Sequence, residues 1–384
     1  VRVCIAYDCL FPWTVGGAER WYRNLAERLA QDGHEVTYVT RRQWPAGAPP
    51  QLAGVRVVAV SRDEPLYGAD GNRTIGEPLR YGRGTLGHLL RHGRDYDVVH
   101  MASFPYFSVL AAAAARPLGR YRLVVDWHEL WSAAYWHDYL GGAKGRIGHA
   151  IQRACARVPQ RAFCFSRLHR DRLLAEGFRG QVTVLEGEYA GDLTAPVPNA
   201  AAQPVAVFAG RHIAEKRVAA LVPAVMRARE AVPGLRGIAF GDGPKRGDVL
   251  AAIERHGAQG IVSAPGFVDG AEIDAALRDA LCMVLPSSRE GYGMVVVEAA
   301  ARGTPSVVVA GEDNAAVELV DEGRNGTIAA SASAADLAAA IERVHRGGAA
   351  LRASTCAWFA ENAGRLSLQG SLDVVAAAYA ERTR

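Results

Sequence analysis

The stretch Arg289–Val309, REGYGMVVVEAAARGTPSVVV, sets two carboxylates, Glu290 and Glu298, eight positions apart around a glycine-bearing loop. An apolar, strand-like run ends at Leu285, Gly291 and Gly293 then flank Tyr292, and a helical pattern opens at Met294 and Val295. Such a loop turns free backbone N–H groups toward an anionic phosphate at a helix N-terminus. Carboxylates beside a phosphate repel it. Glu290 at the loop mouth and Glu298 one turn inside the helix therefore suit sugar hydroxyls, one on each side of a diphosphate. Either glutamate alone is as well explained by the helix dipole or by a solvated surface. The whole arrangement is not.

A second constellation is AVFAGRHIAEKR, Ala206–Arg217. Its strand ends at Ala209, and Gly210, Arg211 and Lys216 follow in the loop. Two cations past a strand end neutralise a diphosphate and stabilise charge growing on a leaving nucleotide. Lys216 is one of only three lysines, with Lys144 and Lys245, in a chain whose other basic residues are arginines. A compact, flexible ammonium kept among arginines suits that role. The segments GDGP (Gly241–Pro244, with Gly243) and PGFV (Pro265–Val268, with Phe267 and Val268) also fall at strand ends, where a turn explains Gly and Pro equally well.

In the first half, Gly16 and Gly17 follow the opening strand and start a helix, where backbone can approach a ligand closely. No G-x-G-x-x-G follows that strand, so this is not the dinucleotide fingerprint. Farther on, LVVDWHELWSAAYWHDYLGG puts Asp126, His128 and Glu129 at another strand end. Asp126, His128, His137 and Asp138 match no common ligand spacing, so no metal is expected. The aromatic residues Trp127, Trp131, Tyr135, Trp136 and Tyr139 fit core packing, an acceptor-binding wall or a membrane-facing lip.

The elements that must position these residues follow a βαβ rhythm, the signature of parallel sheets covered on both faces. Short β-branched runs such as Val1–Tyr7, Val98–Met101 and Leu123–Asp126 alternate with amphipathic segments such as Ala18–Gln31 and Ile147–Val158. YAGDLTAPVPNAAAQP breaks both periodicities, and the rhythm then restarts at Val205. The expected organisation is a first Rossmann-like domain over 1–190, a linker over 191–204, a second Rossmann-like domain over 205–365, and a closing helix within 366–384 that packs back on the first domain. Two doubly wound domains of this kind are expected to face one another across a central cleft. At 384 residues, 49% hydrophobic and 22% charged, the chain can bury two cores. Its apolar runs fall short of the roughly 20 residues a membrane span needs, and Val1–Tyr7 is strand-like where a leader would begin, so the chain reads as cytoplasmic. Six cysteines without a CxxC pair read as buried reduced thiols. A net charge of +4 is too weak to imply nucleic acid, although its mildly basic first half leaves peripheral membrane contact open.

Taken together, the Glu290-x7-Glu298 spacing, the A-x-x-x-G-T-P that follows, the G-R and Lys216 element, and the Gly-Gly-Ala-Glu and Gly-His-Glu-Val segments resemble the family 4 retaining glycosyltransferases of GT-B fold. The resemblance implies that Glu290 meets the donor sugar's hydroxyls and Glu298 the nucleotide ribose. By the same resemblance, the amides of Gly291–Val295 support sugar and diphosphate, Gly243, Phe267 and Val268 border the base, and His128 contacts the transferred sugar near its 6-hydroxyl. The implied donor is a UDP- or GDP-sugar that needs no further cofactor; the acceptor is a glycan, a glycolipid or a small metabolite. LEGEYAG, Leu185–Gly191, departs from the family's Asn-Gly turn, so no ligand contact carries over there. A phosphorylase, a nucleotide-sugar epimerase and a non-catalytic sugar-nucleotide-binding subunit are the alternative readings.

Overall fold

The computed structural model describes all residues except 46, 49, 65–75, 200–201, 381–384 and the side chain of Ala380. Two residues of the expected linker and the end of the expected closing helix lie outside the described residues. The chain divides into two compact units, Val1–Glu186 with Gln369–Arg384, and Gly187–Leu368.

The first unit is built on seven strands: β1 (Arg2–Ala6), β2 (Glu35–Arg41), β3 (Val55–Ser61), β4 (Val98–Ala102), β5 (Arg122–Trp127), β6 (Arg161–Cys164) and β7 (Val182–Val184). All pair in parallel, in the order β3-β2-β1-β4-β5-β6-β7. β4 is buried at every position, as a strand covered on both faces must be. The helix Gly17–Gln31 buries Trp21, Tyr22, Leu25, Ala26 and Leu29, an i, i+4, i+8 stripe laid against the sheet. Two helices without a sequence expectation also appear, Gly76–His92 and Ala133–Leu140. The first is glycine-rich, and the second is masked by its aromatic residues, whose spacing reads as well as a wall.

The second unit has β8 (Gln203–Ala209), β9 (Arg236–Phe240), β10 (Val262–Gly266), β11 (Ala280–Leu285), β13 (Ser306–Val309) and β15 (Gly326–Ala329), all parallel in the order β10-β9-β8-β11-β13-β15. A separate pair, β12 (Arg289–Glu290) with β14 (Asp313–Asn314), lies in the loops beyond that sheet. The long helix Ala334–Leu366 is broken at Gly348, whose backbone is left-handed at φ 48°.

The passage between units falls earlier than the composition suggests. Tyr189 is buried in the second core, its N–H donates to Leu366 O at 3.0 Å, and Leu368 N–H donates to Tyr189 O at 2.8 Å. The change of unit therefore comes at Glu186/Gly187, four residues before 190, because one aromatic side chain anchors a stretch whose Ala and Pro content otherwise reads as linker. On the return, the helix Leu368–Ala380 joins the first unit, where Asp373 pairs with Arg28 at 2.8 Å and Tyr379 O accepts from Arg122 at 2.7 Å.

Candidate active site

β8 and β11 are hydrogen-bonded neighbours where the strand order of the second unit reverses. Open parallel sheets bind ligands beyond the carboxyl ends of strands at such a switch point. The loops leaving these two strands carry both charged motifs. They bring Lys216 and Glu290 together: Lys216 Nζ donates to both carboxylate oxygens, at 2.6 and 2.8 Å, with the side chains only 21% and 9% exposed. Beside this pair is one the sequence reading missed, Arg289 Nη2 to Glu215 Oε1 at 3.0 Å. Its signal was present, as opposite charges directly adjoining each motif residue.

Glycine shapes the surrounding loops at two points. Gly241 has φ 110°, and a Cβ there would lie 2.0 Å from Gly210 O, so only glycine lets the loop after β9 cross the loop after β8. The crossing is stitched by His212 N–H to Asp242 O and Lys245 N–H to His212 O, both 2.8 Å, and Gly243 lies within it. Gly293, with φ 106°, caps the helix Met294–Ala300, and a Cβ would lie 2.6 Å from that of Ala316. Tyr292 and Val295 have side chains buried in the second core, so what they can present to a ligand is main chain; Gly291 and Met294 are half-buried.

Glu298 is half-buried on that helix. Burial raises the Tyr189 phenol above its ordinary value, with Glu298 and Asp274 adding and Arg302 opposing. Arg302 donates to Tyr189 OH at 2.9 Å and pairs with Asp274 at 2.6 Å, a setting around Glu298 that the motif spacing did not reveal. Arg211 is exposed, Phe267 stands 84% exposed beyond β10, and Val268 is half-buried.

In the first unit the strand order reverses between β1 and β4. Gly16 caps the helix that follows β1 in extended backbone, and a Cβ on Gly17 would meet nothing within 4 Å, so packing within the protein does not dictate that glycine. Just past β5, the His128 ring stacks on Phe165 at 4.1 Å and meets Tyr22 edge-on at 5.7 Å. Burial pushes its pKa down to about 4, against the opposing pull of Asp126 and Glu129, so the imidazole is neutral at physiological pH. It presents a polar but uncharged ring.

Two residues back, Asp126 is fully buried and its environment explains why. His100 Nε2 lies 2.7 Å from Oδ1, and Trp21 Nε1–H donates to Oδ2 at 2.8 Å. His100 Nδ1 is hydrogen-bonded to Tyr379 OH. Burial alone would raise the Asp126 pKa, but His100, His128 and the Trp21 donor hold it below the ordinary carboxylate value. Burial also raises Tyr379 well above an ordinary phenol, so it keeps its proton. The His100 ring thus bridges the Tyr379 phenol and the Asp126 carboxylate through its two nitrogens. His100 was invisible in an apolar run that reads only as a strand.

The aromatic cluster divides. Trp127 and Trp136 are buried in the first core, whereas Trp131, Tyr135 and Tyr139 are half-buried, Trp131 stacks on Phe104 at 6.3 Å and donates to Glu129 at 2.9 Å. His137 and Asp138 are exposed and 3.7 Å apart, while Asp126 is sealed in its own network. Among the described residues no group of three or more His, Cys, Asp or Glu side chains is placed to hold a metal ion, and all six cysteines are buried and free. A cavity of about 920 Å³ opens at the opposite, amino-terminal ends of β5–β7 and includes Arg116, Arg157 and Arg179. Helices end there at Gly119, Ala156 and Ala175, and guanidinium groups answer the negative ends of their dipoles.

Comparison with known proteins bears on these features. Residues 194–363 match the family described as glycosyl transferases group 1, and residues 16–187 match the glycosyl transferase 4-like domain. The chain is 27% identical over 368 residues to a glycogen synthase of Mycobacterium tuberculosis, an alignment covering 87% of this chain and 83% of that protein. Among solved structures it resembles a sucrose-phosphate synthase from Thermosynechococcus elongatus, with TM-score 0.79, 18% identity and coverage of 99% and 98% of the two chains. It also resembles Anabaena HepE, solved in complex with UDP, with TM-score 0.72, 18% identity and coverage of 99% and 100%. Among the described residues no helix is long and apolar enough to cross a membrane. With both halves matched and two parallel α/β units in place, the chain belongs to the group 1, family 4 type glycosyltransferases of GT-B fold.

Proposed function

We propose that this enzyme moves a hexosyl group from a nucleotide-diphosphate sugar to an acceptor hydroxyl with retention of anomeric configuration. The observation that carries the reading is the Lys216–Glu290 pair beyond the β8/β11 switch point. It sets a flexible cation against a carboxylate that can accept sugar hydroxyls. Lys216 and Arg211 take the diphosphate, Glu290 takes the sugar, and Glu298 takes the ribose. Neutral His128 meets the transferred sugar from the first unit. Uracil is the favoured base, since HepE was solved with UDP and with UDP-glucose; GDP is the next candidate.

A double displacement needs a carboxylate beneath the anomeric carbon. The family resemblance gives neither Glu290 nor Glu298 that role, which favours a same-face substitution instead. In it the bond from the anomeric carbon to the phosphate oxygen breaks and the bond to the acceptor oxygen forms. The acceptor proton passes to the departing phosphate oxygen, and the cations stabilise the charge gathering on the diphosphate. The acceptor class is a glycan, a glycolipid or a small metabolite, reached by an enzyme at work in the cytoplasm or on its membrane face.

The test is a thermal-shift screen of nucleoside diphosphates and their sugars. A ligand of the native state at a hundredfold excess over its Kd adds about 2.7 kcal/mol of stability. A rise in melting temperature with one base and one sugar identifies the donor, and no rise with any UDP- or GDP-sugar overturns the reading.

A further inference from the structure

Glu290 is held in place from two sides. On one, β12 runs parallel to β14, with Arg289 opposite Asp313 and Glu290 opposite Asn314. Asn314 is fully buried; its amide donates to Ser287 O at 3.1 Å and Val309 O at 2.8 Å, and its Oδ1 accepts from Ala316 N–H at 3.1 Å. On the other side the loop after β8 is attached through main chain, Ser288 N–H to Glu215 O at 2.8 Å, and through side chain, Ser288 Oγ to the same oxygen at 3.2 Å.

From that attachment the two segments face each other in register. Glu215 and Lys216 run acid then base, and Arg289 and Glu290 run base then acid, so each residue meets its opposite across the gap. The result is a ladder of two rungs with reversed polarity and no net charge. Its four side chains are between 9% and 21% exposed. The cations differ in kind. The outer rung uses a planar guanidinium, whose rigid fork keeps its geometry; the inner rung uses an ammonium on a flexible stem, which can turn to a new partner. In a chain with 44 basic residues and three lysines, that choice is not forced by composition.

We propose that Glu215 and Arg289 are positioning residues that hold the two loops in the register where Lys216 and Glu290 can exchange one another for the donor. This rests on the reading that the inner rung meets the donor. As a diphosphate draws Lys216 away, the Glu290 carboxylate is released to the sugar hydroxyls, and the outer rung keeps both backbones in place during the exchange. Neither Glu215 nor Arg289 touches substrate.

The test compares Arg289→Gln and Glu215→Gln in two backgrounds, the natural chain and Lys216→Ala. Transfer is measured with the sugar nucleotide that most raises the melting temperature, and calorimetry gives the Kd of its nucleoside diphosphate, which stays measurable when turnover is low. In the natural background either substitution should lower kcat/KM about tenfold, the scale of one charge-assisted contact. In the Lys216→Ala background it should change neither quantity, because the exchange it serves is already gone. A residue that merely ties the fold costs the same in both backgrounds, and that result overturns the proposal, as does an unchanged rate in the first. The double variant Glu215→Gln with Arg289→Gln leaves no lone charge in the rung and serves if a single variant fails to fold. Full activity of Lys216→Ala itself would instead overturn the donor-site reading.

Discussion

The second unit and the first solve opposite problems with polar side chains. In the second, the ladder of Glu215, Lys216, Arg289 and Glu290 is partly open, and every member is formally charged. In the first, Asp126, His100, Trp21 and Tyr379 are sealed from water and joined in one hydrogen-bonded chain. A largely buried ion pair can trade one partner for a ligand group of the same charge without leaving a charge uncompensated. A buried carboxylate that loses a donor has nowhere to go. The open set is built to change partners, and the sealed set to keep them.

The contrast can be broken most directly at Glu290. Glu290→Ala should reduce transfer by about 10²–10³-fold, the loss seen when one group aimed at the reacting centre is removed. Nucleoside diphosphate should still bind, because Lys216 is then released to it. Initial rates and calorimetry on the same variant read both quantities; full transfer activity contradicts the site assignment, and loss of nucleotide binding contradicts the division of roles.

The sealed set should behave in reverse. Asp126→Ala leaves the Trp21 and His100 donors buried without an acceptor and should destabilise the chain by about 3 kcal/mol. Urea denaturation followed by tryptophan fluorescence measures this, with Trp21 itself a reporter. The Kd for nucleoside diphosphate, proposed above to bind the second unit, should be unchanged at a temperature where the variant is folded. A loss below about 0.5 kcal/mol, the scale of a surface substitution, would remove Asp126 from any holding role.

What the residues disclosed beforehand follows the same line. The parallel strands were legible because β-branched runs with helical periodicity between them admit few other folds. Lys216 and Glu290 were legible as types at strand ends, but their direct pairing was not, since each reads as a ligand contact on its own. Glu215 and Arg289 were overlooked because a charge next to a motif residue is ordinarily solvated. His100 and Tyr379 were out of reach for a different reason. They are 279 residues apart, and nothing local tells a buried tyrosine on a closing helix which histidine it will meet. The boundary at Glu186/Gly187 was displaced by Tyr189, one side chain outweighing the composition around it.

The finest distinction between the two sets is the state of His128, which stands at the edge of the sealed one. Its pKa of about 4 against an ordinary 6.5 means that the folded chain binds no proton there over an interval in which the unfolded chain does. The stability it contributes is therefore complete above about pH 6.5 and is lost as pH falls toward 4. Ring resonances followed by NMR should titrate with a midpoint near 4. Glu129→Gln should move that midpoint lower still, because Glu129 pulls it upward while burial pushes it down. A midpoint near 6.5 would place the ring in water rather than against Phe165.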